Sequence, residues 1–342
     1  MPGIPKARLH ARSSGVQALD TVGLASTTLE VGRVRPGRAV AARAIVVSVC
    51  VLAITGTARA QDLEPKAYSA SPVGAAFLVL GFARSSGSVL TDPTLPLTDV
   101  EARLNGAPLA AGYTFGLLGK LALVTAAVPY VWGDVSGLVG EESRAVTRSG
   151  LADARARVSV NLVGNPAMGL RDFVRAPRKT IVGTSLTVTA PSGQYTGAKL
   201  INIGTNRWAF KPEVGVAVPK GAWDFDAYIG AWLFTSNSDF YPGGRARSQN
   251  RVVALQGHAS YTFRPRLWAA VDATWYQGGS ATVEGGEPSE AFNNSRLGAT
   301  VSFPIARQQS LKFSYNSGMA VRTGTNFRTI SVGYQWLRFT KR

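Results

Sequence analysis

Residues 221–234, GAWDFDAYIGAWLF, and 250–278, NRVVALQGHASYTFRPRLWAAVDATWYQG, decide how the chain is read. Side chains alternate faces along a strand with period 2. In the first run Trp223, Phe225, Ala227, Ile229, Ala231 and Leu233 share one face, and Asp224, Asp226 and Tyr228 share the other. The second sets Val253, Leu255, Ala259, Tyr261 and Phe263 against Gln256, His258, Ser260 and Thr262. The third sets Leu267, Ala269, Val271, Ala273 and Trp275 against Asp272, Thr274 and Tyr276. Each run is about 10 residues or longer, which is what a tilted strand needs to cross a bilayer. Soluble strands are usually shorter, ~5–6 residues. Aromatics gather near the ends of the apolar faces. Long alternating runs with aromatic girdles point to a transmembrane, all-β, antiparallel up-and-down barrel.

The same patterning gives twelve expected strands, at 75–84, 108–117, 120–131, 151–163, 180–190, 206–218, 222–235, 251–263, 267–277, 293–304, 309–321 and 326–339. The first ones, AAFLVLGFAR and LALVTAAVPYVW, are apolar on both faces. The connections between strands alternate long (85–107, 132–150, 191–205, 236–250, 278–292) and short (118–119, 219–221, 264–266, 305–308). Two depart from the rule: 164–179 is long for its class and 322–325 is short. Outer-membrane barrels put short turns on the periplasmic side and long loops outside, so both termini are expected inside. A soluble sandwich has no reason to alternate in this way.

The chain divides into a leader, 1–60, and a barrel, 61–342. Arg33, Arg35, Arg38 and Arg43 precede an apolar core at 44–54, followed by Ala58-Arg59-Ala60. That is the layout of a cleaved secretory signal peptide with cleavage after Ala60, and the core is too short for a membrane helix. Cys50, the only cysteine, lies inside the core, which leaves no disulfide, thiolate or cysteine-metal chemistry downstream. His258 is the only histidine after the leader, so neither a metal site nor a cofactor is expected.

The sequence has a net charge of +17. Eight Lys/Arg and two acids fall in 1–60, leaving 29 basic and 18 acidic residues downstream, net +11. For an exported chain this favours anionic lipid and anionic solutes over nucleic acid. The expected partners are outer-membrane lipid, lipopolysaccharide through Arg245, Arg247 and Arg251, a small-molecule solute and, during export, the barrel-assembly machinery. The expected location is the outer membrane of a Gram-negative bacterium. The last strand ends on Phe339, similar to the aromatic-ended strand by which barrels are recognised for assembly, though Thr340-Lys341-Arg342 follow it.

If the apolar faces meet lipid, the opposite faces line a lumen. Parity places Arg155, Arg157, Ser159, Asn161, Lys211, Glu213, Asp224, Asp226, Gln256, His258, Asp272, Thr274, Lys312, Asn316 and Gln335 there. Such a wall suits an aqueous path or a plugged interior of paired charges. The loop 191–207 (PSGQYTGAKLINIGTNR) and Trp208 offer Tyr195, Lys199, Asn206, Arg207 and Trp208 as residues shaping a mouth, because contacts concentrate on loops.

The runs SGLADARARVSVNLVG, GTSLTVTAPSGQY, KLINIGTNRWAFKPEVGV, DAYIGAWLFTSNSDFYPGG, LQGHASYTFRPRLWAAVDATWYQGG and NNSRLGATVSFP, in this order, resemble the transporter family associated with the MetA pathway of phenol degradation. The resemblance covers most of 68–339. It implies an outer-membrane barrel for passive uptake of small aromatic or hydrophobic compounds, and it transfers no functional residue.

Two alternatives stand beside that reading. His258-x-Ser260 with Asp272 resembles the layout of outer-membrane phospholipase A, where the third member is asparagine. A three-residue turn, 264–266, would pair Phe263 with Leu267 and set Asp272 opposite His258. The chemistry would be a serine activated by histidine and oriented by a carboxylate. Against it, parity turns these groups away from lipid, so no enzyme is expected. The other alternative is a sealed structural or surface-interaction barrel.

Overall fold

Alternation of the kind seen in 221–278 leaves each strand with one apolar face and one polar face, and closing the sheet is the way to sort them. In the computed structural model, which describes residues 64–90, 98–139, 141–320 and 324–340, sixteen strands form. They are β1 (Ala75–Leu90), β2 (Thr98–Leu117), β3 (Lys120–Val139), β4 (Glu142–Leu151), β5 (Arg155–Val163), β6 (Ile181–Thr189), β7 (Ala209–Lys220), β8 (Trp223–Phe234), β9 (Asn237–Phe240), β10 (Arg245–Gln249), β11 (Val252–Arg264), β12 (Leu267–Gly278), β13 (Ala281–Val283), β14 (Phe292–Ala306), β15 (Gln309–Ala320) and β16 (Gly324–Phe339). One six-residue helix, α1 (Leu170–Arg175), lies between β5 and β6. The leader expected at 1–60 and its cleavage site lie outside the described residues.

The main sheet closes through β1–β16 and β2–β3 pairing. The strands β4 and β5 both pair with β3, one above the other, and so occupy a single position in the wall. The barrel therefore has twelve strands, all paired antiparallel, and every neighbour in sequence order is a neighbour in space. Closure gives each of the twelve wall positions a paired neighbour on both sides, as a hydrocarbon surrounding demands. Among the described residues no helix is long and apolar enough to cross a membrane.

The faces sort as the alternation dictates. Leu80, Phe82, Leu109, Val128, Val214, Phe225, Ile229, Val271, Phe303 and Ile330 point outward and are exposed, whereas the polar residues between such positions are buried. Trp223 and Leu233, both outward, are ten positions apart on β8. At ~3.3 Å per residue and a tilt of ~40° they stand about 25 Å apart along the barrel axis, the height of a lipid-facing band. Stacked or tilted aromatic pairs mark both ends of this band: Trp223–Phe225 at the turn end, Trp208–Phe210 and Tyr130–Trp132 toward the loop end.

Three features depart from the expected layout. The stretches 85–107 and 132–150 are not plain loops: β1, β2 and β3 run on well past their expected ends, and β4 adds a hairpin arm to β3. Their Ser, Gly, Thr and Asn content reads as loop, but strand pairing with the neighbouring arm satisfies the backbone anyway. The loops 236–250 and 278–292 build a separate three-stranded sheet, β13-β10-β9. The β11–β12 register sets His258 opposite Asp272 as expected, but by another route. Arg264 pairs with Leu267 across a two-residue turn, and a bulge between Thr262 and Arg264 absorbs Phe263. The bulge supplies the extra residue that a longer turn would have supplied.

Candidate functional site in the barrel lumen

The lumen is two-sided, and the sequence explains why. Strands β1–β3 are apolar on both faces, so their inner face presents Phe77, Pro108, Ala110, Leu123, Ala127 and Pro129 to the lumen. Facing them, β5–β8, β11, β12, β14 and β15 contribute charged and polar side chains. A cavity of about 540 Å³ lies between the two walls, bordered by Arg155, Arg157, Lys211, Glu213, Gln256 and Lys312 and by the aromatic rings of Tyr228 and Trp232.

The chain's own residues 64–73, which precede β1, run inside the lumen beside this cavity. The backbone here enters at the turn end, where Val73 N–H donates to Met168 O at 2.8 Å and Thr114 Oγ1 donates to Pro72 O at 2.7 Å. Further in, Tyr68 is almost fully buried, its hydroxyl 2.9 Å from Ser185 Oγ and 3.1 Å from Glu213 Oε1. The Lys66 ammonium pairs with Asp224, and its backbone N–H donates to Asp226 Oδ2 at 3.2 Å. Ala67 N–H donates to Tyr228 Oη at 3.0 Å. Glu64 pairs with Arg157 at 3.6 Å. All of these contacts are non-covalent.

Glu213 is the junction between segment and wall. It accepts from Tyr68, from Arg157 at 3.3 Å and from Gln256 at 3.3 Å, and it pairs with Lys211 at 2.5 Å. Such a buried carboxylate is tolerable only because several donors share it. The Tyr68 ring lies over Arg157 at 5.1 Å and edge-on to Tyr228 at 5.2 Å. Burial, with the Glu213 charge adding, pushes the Tyr68 phenol up to about 12. Room for this ring comes from Gly183 and Gly215, paired across β6 and β7: a Cβ on either would fall 2.3 Å from it.

The parity list lands on the lumen side. Asn161, Ser159, Glu213, Asp224, Asp226, Gln256, His258, Asp272 and Thr274 are buried there, with Arg155, Arg157, Lys211, Asn316 and Gln335 partly so. Lys312 borders the cavity and remains exposed to it. His258 Nδ1 bonds Asp272 Oδ1 at 2.7 Å, and Asp272 Oδ2 accepts from Thr300 at 3.2 Å. Ser260, fully buried, makes no hydrogen bond, and neither does His258 Nε2. The base is oriented but does not hold the serine, so the nucleophile–base contact of a hydrolase is not formed. The three groups also face the lumen, away from lipid. Among the described residues no group of three His, Cys, Asp or Glu could hold a metal ion.

The loop candidates divide. Tyr195 donates to Asp239 O at 2.9 Å and accepts from Asn237 at 2.8 Å, and Asn206 donates to Asn237 Oδ1 at 2.8 Å. These two tie 191–207 to β9. Arg207 bonds Gln249 at 2.5 Å and lies over Phe234 at 4.3 Å; burial, with the Arg247 charge adding, lowers its guanidinium to about 10. Lys199 is exposed. Trp208 does not shape the mouth: it is exposed on the outer wall, stacked on Phe210. Its parity with Val214 and Val218 already carried that information.

Sequence reasoning missed the segment holding Glu64, Lys66 and Tyr68, and it missed Arg296, buried beside Asn316 at 2.6 Å. Arg296 could have been found by extending the alternation along β14. The segment has no periodicity and gave no signal.

A sequence model for the family described as "Putative MetA-pathway of phenol degradation" matches residues 89–339. The chain belongs to that family. In fold, the chain is similar to an outer membrane channel from Pseudomonas putida F1, at 18% identity and a TM-score of 0.66, covering 81% of this chain and 100% of that one. Weaker likenesses include the β domain of the Bordetella autotransporter BrkA (12% identity, TM-score 0.48, 77% and 99% covered). The Pseudomonas putida toluene transporter TodX is another (10% identity, TM-score 0.40, 82% and 94% covered). No curated protein matches the sequence.

Proposed function

We propose that this family member is an outer-membrane channel for passive uptake of small compounds with a hydrophobic body. The observation that carries the reading is the two-walled cavity beside a non-covalently held segment: an apolar wall from β1–β3, a wall with Arg155 and Arg157 of β5, Lys211 of β7 and Lys312 of β15, and the Tyr68 segment beside it. A purely structural barrel has no need of a lumen with an unfilled apolar side. The likeness in fold to the outer membrane channel from Pseudomonas putida F1 supports the reading. Withdrawal or sideways movement of 64–73 would widen the path, and diffusion down a gradient would drive passage. The outward aromatics suit lipid, and Arg245, Arg247 and Arg251 on the loop side suit lipopolysaccharide phosphates.

The test is flux through the refolded protein in liposomes, comparing a small phenolic with a sugar of similar mass. Passage of the phenolic but not the sugar is the expected result. Passage of neither, from protein that is folded and inserted and from a variant lacking 64–70, would overturn the proposal.

A further inference from the structure

We infer that the turn end of the barrel carries a basic rim that binds anionic phospholipid headgroups in the periplasmic leaflet of the outer membrane. Register puts four of its cations on the lipid side of the wall. Lys120 pairs with Leu117, Lys220 with Trp223 and Arg338 with Ala76, so they share the outward faces of Val124, Val218 and Trp336. On β11 the bulge at Phe263 sets Arg264 opposite Leu267, which has the outward parity of Val271. All four are exposed, each at or beside the end of its strand. A long basic side chain at the border of a lipid-facing band lays its methylenes on the apolar surface and carries its charge out to the headgroups.

The connections add to them. Arg171 and Arg175 lie on α1, Lys179 follows the helix, and Arg266 and Arg307 sit on the β11–β12 and β14–β15 turns. Among the described residues of these connections the one carboxylate is Asp172. Just inside the rim, Asp224 is held by Lys66 and Arg178, and Asp226 accepts from the Lys66 N–H, so neither these acids nor these bases belong to the rim's excess. At the loop end the sign is mixed: Glu142 pairs with Arg144, and Glu284 holds Ala246 N–H and Arg245. The rim of one sign is therefore the end fitted to an anionic surface. Two features make that surface lipid and not a soluble acidic protein. The outward cations continue the lipid-facing band directly, next to the aromatic pairs Trp223–Phe225 and Tyr261–Phe263. Apolar side chains also stand out among them: Leu118, at the tip of the β2–β3 turn, is 94% exposed, and Val174, beside Arg175, is 75% exposed. The connection that bears Val174 is tied to that turn, with Ala167 N–H donating to Gly119 O at 3.0 Å. Basic and apolar groups interleaved on one surface suit the boundary between headgroups and acyl chains.

The test is tryptophan quenching of the full refolded protein in phosphatidylcholine vesicles, with a minor fraction of the lipid replaced by brominated phosphatidylglycerol or brominated phosphatidylcholine. Trp223 and Trp336, outward at the turn end, report on the lipid that touches the wall there. Phosphatidylglycerol is expected to be preferred by roughly tenfold, because each basic group beside an anionic surface contributes severalfold, and the preference should shrink as salt is raised. The variant combining Lys120→Gln, Lys220→Gln, Arg264→Gln and Arg338→Gln, checked for the heat-modifiable shift of the folded barrel, is expected to lose most of the preference. Arg171→Gln with Arg175→Gln and Lys179→Gln, all outside the wall, should lose part of it. Arg245→Gln with Arg251→Gln, at the loop end, should keep it. Equal quenching by the two brominated lipids in the parent, or a preference that survives both turn-end variants, would overturn the inference. Polyglutamate binding to the parent in detergent, where phosphatidylglycerol shows no preference, would also overturn it and assign the rim to an acidic polypeptide.

Discussion

Tyr68 and Glu213, 145 residues apart in the sequence, meet in the lumen with the phenol donating to the carboxylate at 3.1 Å. The contact joins the only described chain segment inside the barrel to the most heavily shared charge on its wall. A hydroxyl without β-sheet pairing to fix it must be placed by packing, and here the paired Gly183 and Gly215 supply the space. The position of the segment is thus written into the wall as two absent side chains.

Gly183→Ala tests that relationship directly. The three nearest atoms to an added Cβ all belong to the Tyr68 ring, the first at 2.3 Å, so the wall stays intact and the ring must leave. Overpacking of this kind costs about 1–3 kcal/mol, charged here to docking of the segment and not to the barrel. Single-channel conductance is expected to rise while the heat-modifiable shift of the folded barrel is kept. Unchanged conductance would mean that the ring does not obstruct the path.

Lys66→Glu attacks the same segment through charge. The lysine pairs with Asp224 and its backbone binds Asp226, so a carboxylate there faces two others at close range. The segment is expected to become more sensitive to added protease between residues 64 and 74 than it is in the parent protein. Equal resistance in both proteins would show that the ion pair contributes little to holding the segment.

Alkaline pH should loosen the segment through Tyr68. The docked phenol titrates at about 12 and a withdrawn one near its ordinary value of about 10. The withdrawn form alone ionises between these values. Docking is therefore fully supported below pH ~10 and weakens as pH rises toward ~12, by up to roughly a hundredfold in the equilibrium. Conductance recorded from pH 9 to pH 11.5 is expected to climb in the parent and to stay flatter in Tyr68→Phe. A rise of equal size in both would assign the effect to another group.

The strands were legible because alternation is a local property: Trp223 to Leu233 and Asp224 to Tyr228 declare their faces without reference to anything else. Register was legible where two apolar faces had to coincide, which is why His258 falls opposite Asp272 even though a bulge at Phe263 and not a longer turn produces it. The apolar lumen wall was visible but unread, since a run such as LALVTAAVPYVW has no polar face to contrast. The segment 64–73 was illegible. Its placement depends on Gly183, Gly215, Asp224 and Glu213, scattered over β6, β7 and β8 and brought to one face by the register in which those strands pair.

The buried pair His258–Asp272 separates structure from chemistry in the last prediction. The 2.7 Å bond is shielded from solvent, and Asp272 also accepts from Thr300, so Asp272→Ala strands two partners. The expected cost is about 1–3 kcal/mol, read as a lower temperature for loss of the heat-modifiable form. Ser260→Ala removes a hydroxyl that has no hydrogen bond in a fully buried position, and is expected to leave that temperature unchanged or slightly raised. Neither variant should alter the release of fatty acid from phospholipid vesicles relative to the parent. A hydrolytic activity in the parent that disappears with Ser260→Ala would revive the catalytic reading, because the serine would then have to reach His258 Nε2 in a conformation different from this one.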